Sequence, residues 1–451
     1  MFLFGKAGRD VLRGGAGDDI LYGFGGDDSL LGGAGHDVLA GHEGNDTLSG
    51  GTGDDYLLGG LGTDVIDGGA GVDWAAYEDA TAAVKVSLAL TGWQATGGAG
   101  SDKLTGIENL YGSAFNDTLI GNAGVNYLSG GAGDDRLEGG AGDDHLEGGL
   151  GNDTIIGGDG WDVVSYDDAP SARFVSLVGN IGNDVWGSPH SGVDVDQLES
   201  IEAVYGSRFG DYLQGNWYDN VLIGQDGNDT IEALDGDDYV EGGAGDDRIV
   251  SYYYENGFKN HDIIDGGEGF DTISFIDEGN ELPVTIDLAA NDEQVIGTMT
   301  SLTLRSIEGV VGSHGTDTFY ASTARNVFQL DSQFTAADHV IFRNLAEIGI
   351  GSGADEIIGW AVVDVSRIDA DTTKAGDQAF HVVSRLVSPN WPDTAPVPVY
   401  NNTSFTGNAG EIIQTTLSDG KNLVQFDVNG DKIADAELIT SWTVWPGSFI
   451  L

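Results

Sequence analysis

From Gly5 onward a nine-residue unit repeats eight times in frame, and this period constrains the fold more than any other feature of the chain. The units open at Gly5, Gly14, Gly23, Gly32, Gly41, Gly50, Gly59 and Gly68. The sixth position is always aspartate: Asp10, Asp19, Asp28, Asp37, Asp46, Asp55, Asp64 and Asp73. Two residues later comes an apolar side chain: Leu12, Leu21, Leu30, Leu39, Leu48, Leu57, Ile66 and finally Ala75. The pattern is G-G-x-G-x-D-x-U-x, as in GGAGDDILY, GGAGHDVLA and GGTGDDYLL. A disordered Gly/Asp-rich linker has no reason to place an aliphatic residue every ninth position.

The residue types imply a chemistry. Glycines admit turn conformations closed to other residues, so several carbonyl oxygens can point at one spot. The aspartate adds a carboxylate, and hard oxygen donors of this kind suit calcium. In x-U-x the middle side chain points inward and its neighbours outward. Two units then make one coil with a turn at each edge, which predicts an all-β fold: a right-handed parallel β-roll or β-helix solenoid. Alternate repeats share an edge, so Asp19, Asp37, Asp55 and Asp73 form one column and Asp10, Asp28, Asp46 and Asp64 the other. Strands stack about 4.8 Å apart. Carboxylates at that spacing repel by about 3.5 kcal/mol at an effective dielectric of about 20. Calcium between successive turns relieves this, so folding and metal binding are expected to be one event.

The repeat returns in two further blocks. The second carries Asp117, Asn126, Asp135, Asp144, Asp153 and Asp162; the third carries Asp211, Asn220, Asp229, Asp238, Asp247, Asp262 and Asp271. All these aspartates are candidate calcium ligands, together with backbone carbonyls of the glycine turns. Asn126 and Asn220 lack the charge and are expected to mark weaker or empty sites. The third block swells at SYYYENGFKNHDIID, and a decayed stretch follows with Asp317 and Asn326.

Three related insertions open with DWAAYEDA, DVVSYDDA and DTISFIDE, and close with LTGIENLYGS, LESIEAVYGS and LRSIEGVVGS. They are expected to be further coils with an outward loop rather than separate domains. Glu108, Glu202 and Glu308 recur in the closing phrase, either as metal ligands or as structural corners. The expected organisation is a roll at 1–76, insertion coils at 77–111, a roll at 112–165, insertion coils at 166–205, a roll at 206–275, insertion coils and decayed repeats at 276–328, and a β-rich domain at 329–451. In this last part glycine thins out, PNWPDTAPVPVY reads as an exposed loop, and NLVQFDV and AELITSWTVW read as antiparallel strands.

With 74 acidic against 18 basic residues the formal charge is −56. This excludes a nucleic-acid partner and disfavours anionic membrane. There is no cysteine for a disulfide or thiolate site, no apolar run long enough to span a membrane, and no N-terminal signal peptide in MFLFGKAGRD.

The nonapeptide blocks resemble the RTX (repeats-in-toxin) calcium-binding secreted proteins. VSRIDADTTKAGDQAF, TSFTGNAGEI, FDVNGDKIADAEL and the terminal GSFIL resemble the C-terminal domain of the serralysin metalloproteases. The resemblance implies export through a type I secretion channel to the outside or surface of a Gram-negative bacterium. It also implies that the sixth-position aspartates are the side-chain ligands. Asp427, Asn429, Asp431 and Asp435 have the spacing of a small additional calcium loop, although Lys432 stands where such loops often place glycine.

The serralysin protease half has no counterpart, since H-E-x-x-H is absent, and G-x-S-x-G is absent as well. The expectation is a non-enzymatic structural or surface component, S-layer-like or matrix-forming, that associates with itself or with another surface component. A second reading is an adhesin for glycan or protein, using Trp93, Trp186, Trp217, Tyr218, Tyr252, Tyr253, Tyr254 and Phe258. A third is a carbohydrate-active enzyme or the tail of a longer secreted protease. The first repeat begins almost at once after MFLF, so this end of the solenoid is expected to meet another copy or a partner.

Overall fold

The computed structural model describes residues 1–178, 181–182, 196–252, 260–276, 283–296, 300–330, 338–342, 355–358, 361–364, 411–416, 422–427, 436–440 and 449–450. Among these residues there are strands and turns and no helix. The chain divides into two compact units, residues 1–216 with 221–225 and residues 217–220 with 226–451.

In the first unit each nonapeptide contributes one strand. The opening strands are β1 (Phe2–Phe4), β2 (Val11–Ala16), β3 (Ile20–Gly25), β4 (Ser29–Ala34), β5 (Val38–Glu43), β6 (Thr47–Thr52), β7 (Tyr56–Leu61) and β8 (Val65–Ala70). Odd strands pair with odd and even with even, all in parallel, in a register of 18 residues: Leu21 faces Leu39, and Leu30 faces Leu48. Two nonapeptides therefore make one coil. The U residues Leu21, Leu30, Leu39, Leu48, Leu57 and Ile66 are fully buried and form the core between the two sheets. Each strand runs on into its glycines, which lets adjacent turns touch: Gly33 has φ +124°, and a side chain there would collide with the Gly15 carbonyl. Only glycine meets both demands.

The insertions affect the two faces differently. On one face, β7 passes to Trp74–Ala76, then Asn109–Tyr111, Tyr127–Ala132 and His145–Leu150 without a break in parallel pairing. On the other, β8 pairs with Ser101–Thr105, which turns antiparallel against Gln94–Ala95. A new sheet then starts with Lys85–Ser87 beside Thr118–Ile120. Val84 and Val86, and likewise Val175 and Leu177 in the second insertion, are buried as core of these extra coils.

In the second unit Tyr239–Ala244 pairs with Asn260–Glu268, and Arg248–Tyr252 with Thr272–Ile276, in a register of 24 residues. The six extra residues of the swollen repeat thus leave the stacking intact, with Ile249 still opposite Ile273. Parallel pairing does not stop near Gln329, where the composition changes. It continues through Asp338–Ile341 to Ala361–Asp364, and through Val327–Gln329 to Asp355–Ile358. Beyond them, Glu411–Thr416, Asn422–Asp427 and Ala436–Thr440 pair antiparallel in that order. The Pro-rich patch and most of the serralysin-like phrases lie outside the described residues.

Candidate metal centre

The sixth-position aspartates stand in two files, one along each edge of the roll. Along one edge Asp19 N–H donates to Asp37 Oδ1 (2.8 Å), Asp37 to Asp55 (2.8 Å) and Asp55 to Asp73 (2.8 Å). Along the other, Asp10 donates to Asp28 (2.7 Å), Asp28 to Asp46 (2.7 Å) and Asp46 to Asp64 (2.7 Å). The later blocks repeat the device: Asp117 donates to Asp135 and Asp135 to Asp153, Asn126 to Asp144 and Asp144 to Asp162. In the second unit Asn220 donates to Asp238 and Asp238 to Asp262, Asp229 to Asp247 and Asp247 to Asp271.

These bonds use only Oδ1. The Oδ2 atoms of Asp19, Asp28, Asp37, Asp46, Asp55, Asp64 and Asp73 are buried and receive no hydrogen bond. The same holds for Asp135, Asp144, Asp153, Asp162, Asp238, Asp247 and Asp271. A buried acceptor left without a donor costs about 1–3 kcal/mol, and more when charged, so a row of them needs a counterpart.

The glycines show where that counterpart would lie. A methyl group on Gly14 would strike both Asp19 Oδ2 and the carbonyl oxygen of Gly32. One on Gly23 would lie 3.0 Å from the Gly41 carbonyl oxygen and closer still to Asp28 Oδ2. Carboxylate and carbonyl oxygens therefore border the same small space beside each first glycine. An all-oxygen donor set of this kind fits calcium. Among the described residues no group of three or more His, Cys, Asp or Glu side chains is placed to hold a metal ion.

Burial raises the carboxyl pKa values of several aspartates in each file. Asp46 and Asp55 are pushed up to about 6 and Asp64 to about 8, first by loss of water and then by neighbouring carboxylates. Asp144 and Asp162 reach about 6, Asp135 about 7 and Asp153 about 8 for the same leading reason. In the second unit burial takes Asp238 to about 9, and Asp262 and Asp271 to about 7.

Several predicted ligands differ from this pattern. Asp10 is only partly buried, and its Oδ2 accepts from Lys6 N–H (2.6 Å). Asp117 and Asp211 are held by the serine that replaces the second glycine: Ser113 and Ser207 each donate N–H to Oδ2 and their hydroxyl to Oδ1. Asp427 ends a strand, while Asn429, Asp431 and Asp435 lie outside the described residues. The files also include residues that the nonapeptide frame does not reach. Asp64 N–H donates to Asp102 Oδ1 (3.0 Å) and Asp153 N–H to Asp196 Oδ1 (2.9 Å). Asp73 donates to Glu108 Oε2 (2.9 Å), Asp162 to Glu202 Oε2 (2.9 Å) and Asp271 to Glu308 Oε2 (3.0 Å). The three closing-phrase glutamates thus take the place of a sixth-position aspartate. Farther along, Asp317 donates to Asp338 and Asn326 to Asp355.

Of the aromatic candidates, Trp93, Trp217 and Tyr218 are exposed, and Tyr252 donates its hydroxyl to Glu232 Oε2 (3.2 Å). Trp186, Tyr253, Tyr254 and Phe258 lie outside the described residues.

Comparison with known proteins agrees with this geometry at the level of the repeat. The family model of the RTX calcium-binding nonapeptide repeat (four copies) matches residues 4–39, 41–75, 104–137, 111–146, 138–168, 214–249 and 256–274. No curated protein matches. Among solved structures, the crystal structure of the extracellular lipase LipA from Serratia marcescens matches at 19% identity with a TM-score of 0.16. That match covers 42% of this chain and 38% of the lipase chain, so well under half of the lipase's length is spanned. The chain therefore carries RTX calcium-binding nonapeptide repeats over these segments and is folded as a parallel β-roll.

Proposed function

We propose that this is a secreted, non-enzymatic protein that folds on calcium outside the cell and serves as a structural component of a bacterial surface layer or matrix. The observation that carries the reading is the double file of buried carboxylate oxygens without donors, which makes the rolls conditional on a divalent cation. Calcium is scarce in the cytosol and abundant outside, so such a chain stays unfolded until exported, in keeping with a type I route. Nearly every described coil is used for the scaffold itself. Phe2, Phe4 and Phe24 are exposed (67%, 60% and 48%), and Phe4 and Phe24 stack with Tyr22 and His42 along one face. An apolar surface of this kind suits association between copies.

The test is assembly. Purified chain given millimolar calcium should form particles or sheets visible by light scattering and electron microscopy. A calcium-folded protein that stays strictly monomeric at high concentration would refute the structural role. That result would favour a second reading, an adhesin that uses exposed aromatics such as Trp217 and Tyr218 (56% and 76% exposed).

A further inference from the structure

Beside the second insertion the roll carries polar side chains where the first insertion covers an apolar cluster. In the first, Ala40, Leu58 and Ala76 lie on adjacent strands of one sheet, buried against Tyr22, Tyr56 and Tyr111. At the same distances along the chain from Asp162 as these stand from Asp73 are Ser129, Glu147 and Ser165. Val84 gives way to Arg173 in the same manner. The correspondence is structural as well, since Val84 N–H donates to Asp117 Oδ1 and Arg173 N–H to Asp211 Oδ1. The third insertion keeps aliphatic residues at two of these places. Val250, opposite Ser274, stands for Glu147, and Val284, which donates its N–H to Asp317 Oδ1, stands for Arg173; both are fully buried.

An ionised side chain is costly to withdraw from water, yet Arg173 is only 4% exposed. Leucine and valine fill the equivalent places elsewhere in the chain, so the fold does not require these charges. What accompanies the exchange is a cavity of about 170 Å3 in the first unit. Its walls include all four exchanged residues, together with Tyr111, Tyr166 and the exposed Asp168. Tyr127 donates its hydroxyl to Glu147 Oε2 (3.0 Å) and stacks on His145 at 4.3 Å, which fixes the carboxylate. The Arg173 guanidinium lies over the Tyr166 ring, 5.5 Å from its centre. Burial raises the Glu147 carboxyl above its usual range and the Asp168 carboxylate adds to the rise, so the two acids are close enough to interact.

This lining sorts ligands by their chemistry. A cavity of about 150 Å3 is large enough for a six-membered ring. Two carboxylates repel an anion, and the guanidinium repels a metal ion or an organic cation. A sugar hydroxyl both donates and accepts, so a neutral ring can donate to Glu147 and Asp168 while it accepts from Arg173. We propose that the cavity lined by Ser129, Glu147, Ser165, Asp168 and Arg173 binds a single neutral hexose ring. The site is separate from the aspartate files and does not depend on the structural role proposed for the rolls.

Saturation-transfer NMR on the full calcium-folded chain, with glucose, galactose and mannose as probes, tests it. At least one hexose should receive saturation. Glu147→Leu and Arg173→Val install the side chains that Leu58 and Val84 supply at the first insertion, so each should keep the β-sheet circular dichroism of the parent. Each should bind that hexose at least about tenfold more weakly, the loss expected when a charged hydrogen-bonding partner is removed. If Glu147→Leu fails to fold, Glu147→Gln keeps an acceptor for the Tyr127 hydroxyl and provides the same measurement. No saturation in any of the three sugars would overturn the proposal, as would affinities that the variants leave unchanged. Tighter binding of glycine or of glucuronate than of any hexose would assign the cavity to a zwitterion or an anion and refute the neutral ring. A chain that binds hexose but never assembles would refute the structural role and leave this site standing.

Discussion

Asp37 separates the two roles of a column carboxylate, because its oxygens do different things. It is 1% exposed, its Oδ1 accepts from Asp19 N–H at 2.8 Å, and its Oδ2 has no donor. Asp37→Asn preserves the Oδ1 acceptor and puts an N–H₂ where Oδ2 was, beside the Gly50 carbonyl oxygen that borders the same space. Without metal this replaces a buried unsatisfied oxygen by a bonded donor, a gain of about 1–3 kcal/mol. With calcium it removes a charged ligand, a loss of about 1.5–3 kcal/mol, or roughly 10- to 140-fold in affinity. The two conditions should therefore respond in opposite directions.

Two measurements on metal-stripped protein and its variant decide it: the pH at which β-sheet circular dichroism is lost without metal, and the calcium concentration that restores it at neutral pH. Asp37→Asn should raise both midpoints. Asp37→Ala should instead lower the first, because Asp19 N–H is left unbonded, while still raising the second. Asp10→Asn should move both less, since Asp10 Oδ2 already accepts from Lys6. If Asp37→Asn lost structure at lower pH than the parent, or if Asp10→Asn matched it, the column argument would be wrong.

Two further outcomes follow from the same geometry. Folded, metal-free rolls hold protons that the unfolded chain has released, because burial lifts carboxyl groups from 3.8 to about 6 (Asp46, Asp55) and about 8 (Asp64, Asp153). Their stability is thus fullest below about pH 4 and is lost as pH rises through the 6–8 range; chelated protein should unfold at neutral pH and regain β-signal on acidification, and a metal-free signal that persisted at pH 8 would contradict this. Leu48 is fully buried and paired between Leu30 and Ile66; Leu48→Ala should cost the calcium-loaded roll about 2–5 kcal/mol by denaturant unfolding, and a cost under about 1 kcal/mol would show that the core lies elsewhere.

Where the period was unbroken, sequence reasoning reached down to atoms. The 18-residue register, the inward Leu and Ile, and the two aspartate files all follow from the spacing of glycine, aspartate and aliphatic residues, and the structure has each of them. Legibility failed where chain distance and spatial distance part company. Glu108, Glu202 and Glu308 recur visibly, but they follow Asp73, Asp162 and Asp271 by 35, 40 and 37 residues, so no fixed frame reveals that they complete the files. Asp102 and Asp196, 38 and 43 residues beyond their donors, are hidden for the same reason. The serines after Gly112 and Gly206 each bond their own aspartate, a contact that the repeat pattern does not signal. Past Gln329, loss of glycine suggested a change of fold, but parallel pairing needs only strands of matching length, and it persists to Ala361–Asp364.

The 18-residue register also makes the length of the roll a matter of parity. Excising one nonapeptide would send every later residue to the opposite edge, so the file that runs from Asp73 to Glu108 would inherit the contacts of the file that runs from Asp64 to Asp102. Those two endings are not interchangeable: Asp102 Oδ2 is already occupied by the Thr96 hydroxyl (2.9 Å). Excising two nonapeptides would leave every edge assignment as it was. The swollen repeat shows the other permitted change, since the strands on either side of its six extra residues keep their pairing in a 24-residue register and no paired residue crosses the roll. A roll of this architecture keeps its edge assignments only when it is shortened or lengthened by an even number of nonapeptides.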